Sequence, residues 1–177
     1  MVRAAVCGTE GRQFESALVY QKMQKEKKLK PSKELPSGFE DRQEKELLIR
    51  DFVISNIKEV MIKYGFQYLE TPSFEYTDSI GKFLPDKDRP GEGVFSFKDE
   101  NKWLSLRYDL TAPLARYVAK NFNEIPKPFK RYQLGTVWRN EKPGPGRYRE
   151  FLQFDADFVG TKSLQADAEL CVLISEI

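Results

Sequence analysis

Residues 131–160, RYQLGTVWRNEKPGPGRYREFLQFDADFVG, constrain the fold more than any other stretch. They read as two strands joined by a Pro/Gly turn. Alternate side chains of a strand point to opposite faces. From Arg149 onward one face carries Arg149, Phe151, Gln153, Asp155 and Asp157, and the other carries Leu152, Phe154, Ala156 and Phe158. The second set is a core face. On the first strand Arg139 and Glu141 share a face. Same-face neighbours on paired strands lie roughly 5 to 8 Å apart. Any same-face register therefore gathers two arginines, a glutamate, an aromatic ring and an amide on one surface.

Two readings of that surface stand side by side. The planar guanidinium fork suits carboxylate and phosphate oxygens. Phe151 offers a stacking surface for a flat ring such as a purine, and Gln153 and Asp157 offer donors and acceptors to a second, polar substrate. The alternative is a wet sheet face on which Arg149 pairs with Glu141. Exposed pairs contribute only about 0 to 1 kcal/mol, so stability gives little reason for this density of charge.

Composition narrows the chemistry. The 177 residues include no histidine, which removes His general bases, His-containing triads and most zinc sites. The two cysteines, Cys7 and Cys171, stand far apart, so a zinc site or disulfide framework is not expected and a reduced, cytoplasmic setting fits. Lys+Arg total 29 against 27 Asp+Glu, so any anion site must be local rather than a bulk charge effect. No apolar run approaches the roughly 18 residues a bilayer span requires, so no membrane partner is expected.

Along the chain, residues 1–35 read as a basic appendage ending at Pro31 and Pro36, with a solvated helix over 13–29. The run Lys25, Lys27, Lys28, Lys30, Lys33 is either a solvated face or an RNA contact. Asp41 followed by Glu44 predicts a capped helix start. Ile49, Val53, Ile57, Val60 and Tyr64 then recur at helical spacing, and Phe52, Ile54 and Met61 widen the stripe. A helix apolar on more than one side is central or lies at an oligomer interface. Gly65 ends it. Residues 66–70 read as a strand, 84–93 as a loop, and 94–97 with 103–107 as a hairpin around 98–101. A helix over 112–121 follows, with Pro113 in its first turn and Leu114, Val118 and Phe122 as its buried side. In Arg107-Tyr108-Asp109-Leu110-Thr111, Thr111 caps that helix and Asp109 pairs with Arg107, or the two receive N–H groups of a substrate. A last helix over 161–177 carries Ala168, Cys171, Ile174 and Ile177, with Leu170, Val172 and Leu173, and closes without a polar cap, as if the chain continued or were truncated. This order of elements predicts an α+β fold, a largely antiparallel sheet flanked by helices.

The residues Arg139, Glu141, Gly146-Arg147-Tyr148-Arg149, Phe151, Gln153, Asp157 and Gly160 resemble motif 2 of class II aminoacyl-tRNA synthetases, in the form found in histidyl-tRNA synthetases, and the loop wording is closest to the α-proteobacterial branch. Residues of about 42–72 resemble motif 1, and 106–111 resemble a histidine-binding segment. The resemblance runs from residue 36 to 177, with motif 2 at about 129–160.

The resemblance implies a partial class II catalytic core. It implies activation of L-histidine by ATP with Mg2+, then transfer to tRNA(His). Arg139 would be catalytic, binding the α-phosphate and the histidine carboxylate. Glu141 would hold the adenine side, Phe151 would stack on adenine, and Arg147 and Arg149 would lie near the phosphates. Asp109, Thr111, Gln153 and Asp157 would contact histidine. No metal ligands are implied from the protein alone, and a homodimer through motif 1 is. Motif 3 and an anticodon-binding domain find no counterpart, so an N-terminal fragment with little activity of its own is expected. Gly144-Pro145 stands where many relatives carry a polar residue that reads the extra 5′ guanosine of the tRNA. The alternative on the same fold is the synthetase-like regulatory subunit of ATP phosphoribosyltransferase, which would bind histidine without ligating it.

Overall fold

A computed structural model describes residues 32–80 and 93–177. The helix expected over 13–29, the run Lys25 to Lys30 and nearly all of the loop over 84–93 lie outside the described residues. From Pro36 onward the chain forms one compact unit.

The 131–160 stretch is the hairpin its alternation predicts. Strand β5 (Phe129–Trp138) pairs antiparallel with β6 (Glu150–Val159) through ten unbroken residue pairs, from Phe129↔Val159 to Trp138↔Glu150. On its other edge β5 pairs in parallel with the short strand β1 (Gln67–Tyr68). The second sheet, in the order β2-β4-β3, is wholly antiparallel: β2 (Phe74–Tyr76), β3 (Ser96–Asp99) and β4 (Lys102–Leu106). The β3–β4 turn is tighter than expected. Lys98 and Asp99 join the ladder and only Glu100-Asn101 turn, with Glu100 at φ 51.

One face of the hairpin makes the main core. Met61, Phe66, Tyr132 and Leu173 are buried there, with Phe154, Ala156 and Phe158 packed against them. Full burial of side chains of this size contributes roughly 1.5 to 3 kcal/mol each. Helices α1 (Glu44–Lys63) and α3 (Leu164–Glu176) cover that face. Lys130 lies over the rings of Phe66 and Phe158 and reaches Glu169, which fastens α3 to the sheet.

Several sequence expectations need correction. Helix α1 begins at Glu44 with Gln43 in the cap position and no side-chain cap, so Asp41 does not cap it. Glu44 and Glu46 instead place negative charge at the positive end of the helix dipole. Its core contacts begin only at Ile57, while Leu48, Ile49, Phe52 and Val53 stay exposed. The N-terminal half of the apolar stripe therefore faces outward. In α3, Ala166 and Leu173 are buried, with Leu170 packed against the same core. The other stripe, Ala168, Cys171, Ile174 and Ile177, is exposed. The spacing 166–170–173 is also helical, and it is the side that meets Met61 and Tyr132. The helix starts under a Ser163 cap, whose side chain accepts from Gln165 N. Helix α2 (Thr111–Asn121) forms as expected and buries Pro113 and Leu114, but Phe122 is 52% exposed and lies under the Lys127 ammonium.

Candidate functional site

The unusual face of the hairpin opens on the side away from α1 and α3. The register places Val137 opposite Phe151, Gly135 opposite Gln153, Gln133 opposite Asp155 and Arg131 opposite Asp157. Beyond the last rung the strands stay joined, with Arg139 N donating to Arg149 O at 2.8 Å. The turn closes through Arg147 N to Gly144 O at 2.9 Å, with Pro145 and Gly146 between them and Gly146 at φ 68. Proline followed by a positive-φ glycine is the residue order a type II turn requires. That turn carries Arg147 back over the strand ends.

Arg139, Glu141, Gly146, Arg147, Tyr148 and Phe151 line a cavity of about 290 Å³. The Arg139 guanidinium sits 4.6 Å from the Tyr108 ring centre and 4.9 Å from that of Phe151. A cation beside two rings is held by their quadrupoles, and Arg139 Nε also donates to Tyr108 O at 3.4 Å. Glu141 accepts from the Tyr108 hydroxyl at 2.7 Å and pairs with Arg147. The Tyr108 hydrogen bond, then that of Arg147, holds the Glu141 carboxyl below the usual range, and the same bond raises Tyr108.

The pairing of Arg149 with the Glu141 carboxylate, the alternative reading of this face, is not formed. Arg149 Nε donates to the Glu141 main-chain oxygen at 2.8 Å, and Arg147 takes the carboxylate. Arg149 is also tied to the segment before α1, where the Gly38 carbonyl accepts from Arg149 N at 2.8 Å. A Cβ on Gly38 would lie 2.8 Å from Arg149 Cγ, so only glycine lets the two segments approach.

The other expected residues lie along the same face and on the neighbouring turn. Gln153 Nε2 donates to both oxygens of Asp155, at 2.9 and 3.1 Å. Asp157 Oδ2 is 2.9 Å from Arg131. Burial raises the Asp157 pKa, and Arg131 opposes that shift. Asp109, not Thr111, caps α2, its Oδ1 accepting from Ala112 N at 2.9 Å. Asp109 does not pair with Arg107. That arginine, 6% exposed, donates instead to Thr136 O at 2.8 Å and Thr71 O at 2.7 Å. Thr111 is the first helical residue and is exposed.

Sequence reasoning missed four supporting residues. Tyr108 positions both Arg139 and Glu141, and its only signal was an aromatic beside Asp109. Arg107, Arg131 and Gln133 are polar and at most 6% exposed, beneath the face. Their alternation along β5 marked Arg131 and Gln133 as facing the same side as Arg139, but nothing in the sequence marked them as buried. Among the described residues there is no group of three or more Cys, Asp or Glu side chains able to hold a metal ion. Nor is any helix among them long and apolar enough to cross a membrane.

Comparison with known proteins places this geometry. The chain is 58% identical over 151 residues to a histidine–tRNA ligase of Bartonella quintana, covering 85% of this chain and 30% of that protein. The Rhizobium meliloti histidine–tRNA ligase is 57% identical over 157 residues, covering 88% and 31%. The chain thus spans about 30% of the length of the curated relatives it matches. The crystal structure of a Nostoc histidyl-tRNA synthetase superposes with a TM-score of 0.69 at 32% identity, covering 82% of this chain and 33% of that one. A Bacillus halodurans structure described as an ATP phosphoribosyltransferase regulatory subunit/histidyl-tRNA synthetase gives 0.70 at 26%, covering 82% and 38%. These superpositions bear out the class II synthetase-like α+β fold. The sequence model of the family described as histidyl-tRNA synthetase matches residues 38–177, and the chain belongs to that family.

Proposed function

We propose that this chain forms the ATP- and histidine-binding floor of a histidine–tRNA ligase. The observation that carries the reading is Arg139, held between Tyr108 and Phe151 at the rim of a cavity whose walls also carry Glu141 and Arg147. In this reading Arg139 meets the α-phosphate of ATP and the carboxylate of L-histidine as one attacks the other. A positioned cation there stabilises charge that grows in the transition state. Arg147 and Arg149 lie towards the remaining phosphates, Glu141 towards the adenine side, and Phe151 against the adenine ring. Asp109, Thr111, Gln153 and Asp157 receive the donors of histidine, so a substrate lacking them would strand polar groups. The activated histidine passes to tRNA(His). Mg2+ enters as the counter-ion of the triphosphate.

The alternative, a regulatory subunit that binds histidine without ligating it, shares the fold. Identities near 58% to relatives named as ligases weigh against it. The test is histidine-dependent ATP–pyrophosphate exchange and tRNA charging by the complete gene product. Histidine binding without either reaction would favour the regulatory reading. Residues 36–177 are read as a partial core and 1–35 as an extension, a boundary supported by the compact unit from Pro36 and the family match from 38. The 177-residue chain alone is expected to exchange poorly, and robust exchange by it would contradict that. A cytoplasmic homodimer is proposed through α1 and β1, supported by exposed Leu48, Ile49, Phe52, Val53, Ile62 and Tyr68.

A further inference from the structure

Arg131 is the largest fully buried side chain among the described residues, with an exposure of 0%. It sits on β5 between the parallel partner Gln67 and the antiparallel partner Asp157. A buried guanidinium is a poor choice for stability, because an apolar side chain of similar volume avoids its desolvation. Its contacts show what it does instead. Arg131 Nη2 lies 2.9 Å from Asp157 Oδ2 and donates to Leu110 O at 3.0 Å. Nη1 reaches Gln133 Oε1 at 3.5 Å, and Nε has no hydrogen-bond partner among the described residues. Leu110 is the residue between Asp109 and Thr111. One guanidinium therefore grips both the carboxylate at the far end of β6 and the backbone of the turn that starts α2. The contact with Asp157 Oδ2 is close but not aligned as a hydrogen bond, so it is a charge contact. The Asp157 carboxylate, 29% exposed, keeps acceptor capacity for a ligand.

We propose that Arg131 is a positioning residue for histidine recognition, fixing Asp157 and the Asp109–Thr111 turn at one separation and supplying their common counter-charge. The inference rests on the assignment of those residues to histidine. Burial favours the neutral form of Asp157, and Asp155 on the same strand adds to that push. Arg131 on β5 is the cation that opposes both, and Asp109 on the turn faces Arg131 in the same field. Without Arg131, Asp157 protonates at higher pH, and a neutral acid is a weaker partner for the ammonium group of an amino acid.

The experiment compares the complete gene product with its Arg131→Met and Arg131→Lys variants in ATP–pyrophosphate exchange, from mildly acidic to mildly alkaline pH. Arg131→Met should raise KM for histidine roughly ten- to a hundredfold, the range of a lost charge-assisted contact. KM for ATP should change little. The acid limb of kcat/KM for histidine should move to higher pH, and Arg131→Lys should reverse part of that displacement. The titration of free histidine is common to all three proteins and cancels. A folded Arg131→Met protein with wild-type KM for histidine and an unmoved acid limb overturns the proposal. If Arg131→Met does not fold, Arg131→Lys decides. A smaller displacement of the limb supports the proposal, whereas a lowered kcat with an unmoved limb overturns it. Wild-type protein without any histidine-dependent exchange would instead defeat the ligase reading, and this inference with it.

Discussion

Strands β5 and β6 are joined by one turn and paired through ten rungs, yet they live in different surroundings. Phe129, Arg131, Tyr132, Gln133, Gly135 and Val137 of β5 are buried, while every residue of β6 is half-buried. The cause is the sheet order: β5 has β1 on one side and β6 on the other, whereas β6 is an edge among the described residues. The difference separates two jobs. Residues of β6 such as Phe151, Gln153 and Asp157 can meet a ligand. Residues of β5 such as Arg131 and Gln133, together with Arg107 beneath them, can only hold that surface in place. A polar residue on the buried strand has no water to fall back on, so its partners matter far more than those of its neighbour across the rung.

That contrast is open to direct attack. Gly135→Val should cost the most, roughly 2 to 4 kcal/mol in denaturant unfolding. A Cβ there would lie 2.5 Å from Arg107 Nη2, and Arg107 is fastened to two main-chain oxygens. A near-neutral result would mean that Arg107 can swing aside. Gln133→Leu comes next, at about 1 to 3 kcal/mol, because it strands the buried Thr71 hydroxyl that Gln133 Nε2 donates to at 2.9 Å.

Glu141→Gln should act through pH. The folded carboxyl is depressed by Tyr108 and then Arg147, so its contribution to stability is full above the ordinary carboxylate range and fades as pH falls through the lowered pKa. Thermal melts of wild type and variant should therefore differ at neutral pH and converge in acid. A constant gap would show that the tyrosine bond does not depend on the charge. The smallest effect belongs to Asp155→Asn, the rung partner of Gln133, expected within about 0.5 kcal/mol on an edge strand. Equal costs at Gln133 and Asp155 would erase the distinction between the strands.

The hairpin and the sorting of its faces were legible in the sequence because a period of two leaves no choice of side once one face is apolar. The alternation alone therefore puts Arg139, Phe151, Gln153 and Asp157 on one surface. Gly65 and Pro113 were legible for an equally local reason: a positive-φ helix end, observed at 76, and a first-turn position that needs no N–H. What escaped depended on third partners. Which strand is the edge follows from β1 arriving in parallel, Gln67 against Arg131 and Tyr68 against Tyr132, from far back in the chain, and no local pattern encodes that. Arg131 and Asp155 carry similar local signals, yet only one of them is sealed from water. Which side of α3 is buried was not legible, because two helical spacings, 166–170–173 and 168–171–174, fit equally well, and Met61 and Tyr132 decide between them. Arg149 meets the Glu141 main-chain oxygen rather than its carboxylate, and its own N–H is bonded to Gly38 in the segment before α1, a contact over more than a hundred residues that no local pattern encodes.

In the proposed function Arg139 is the cation that meets both reacting partners. The most direct measurement is histidine-dependent ATP–pyrophosphate exchange by the complete gene product with Arg139→Ala. Loss of a charge-assisted contact to a buried phosphate should lower kcat/KM by a factor that corresponds to about 1.5 to 3 kcal/mol or more, with the fold intact by thermal melt. Wild-type exchange rates in that variant would contradict the assignment.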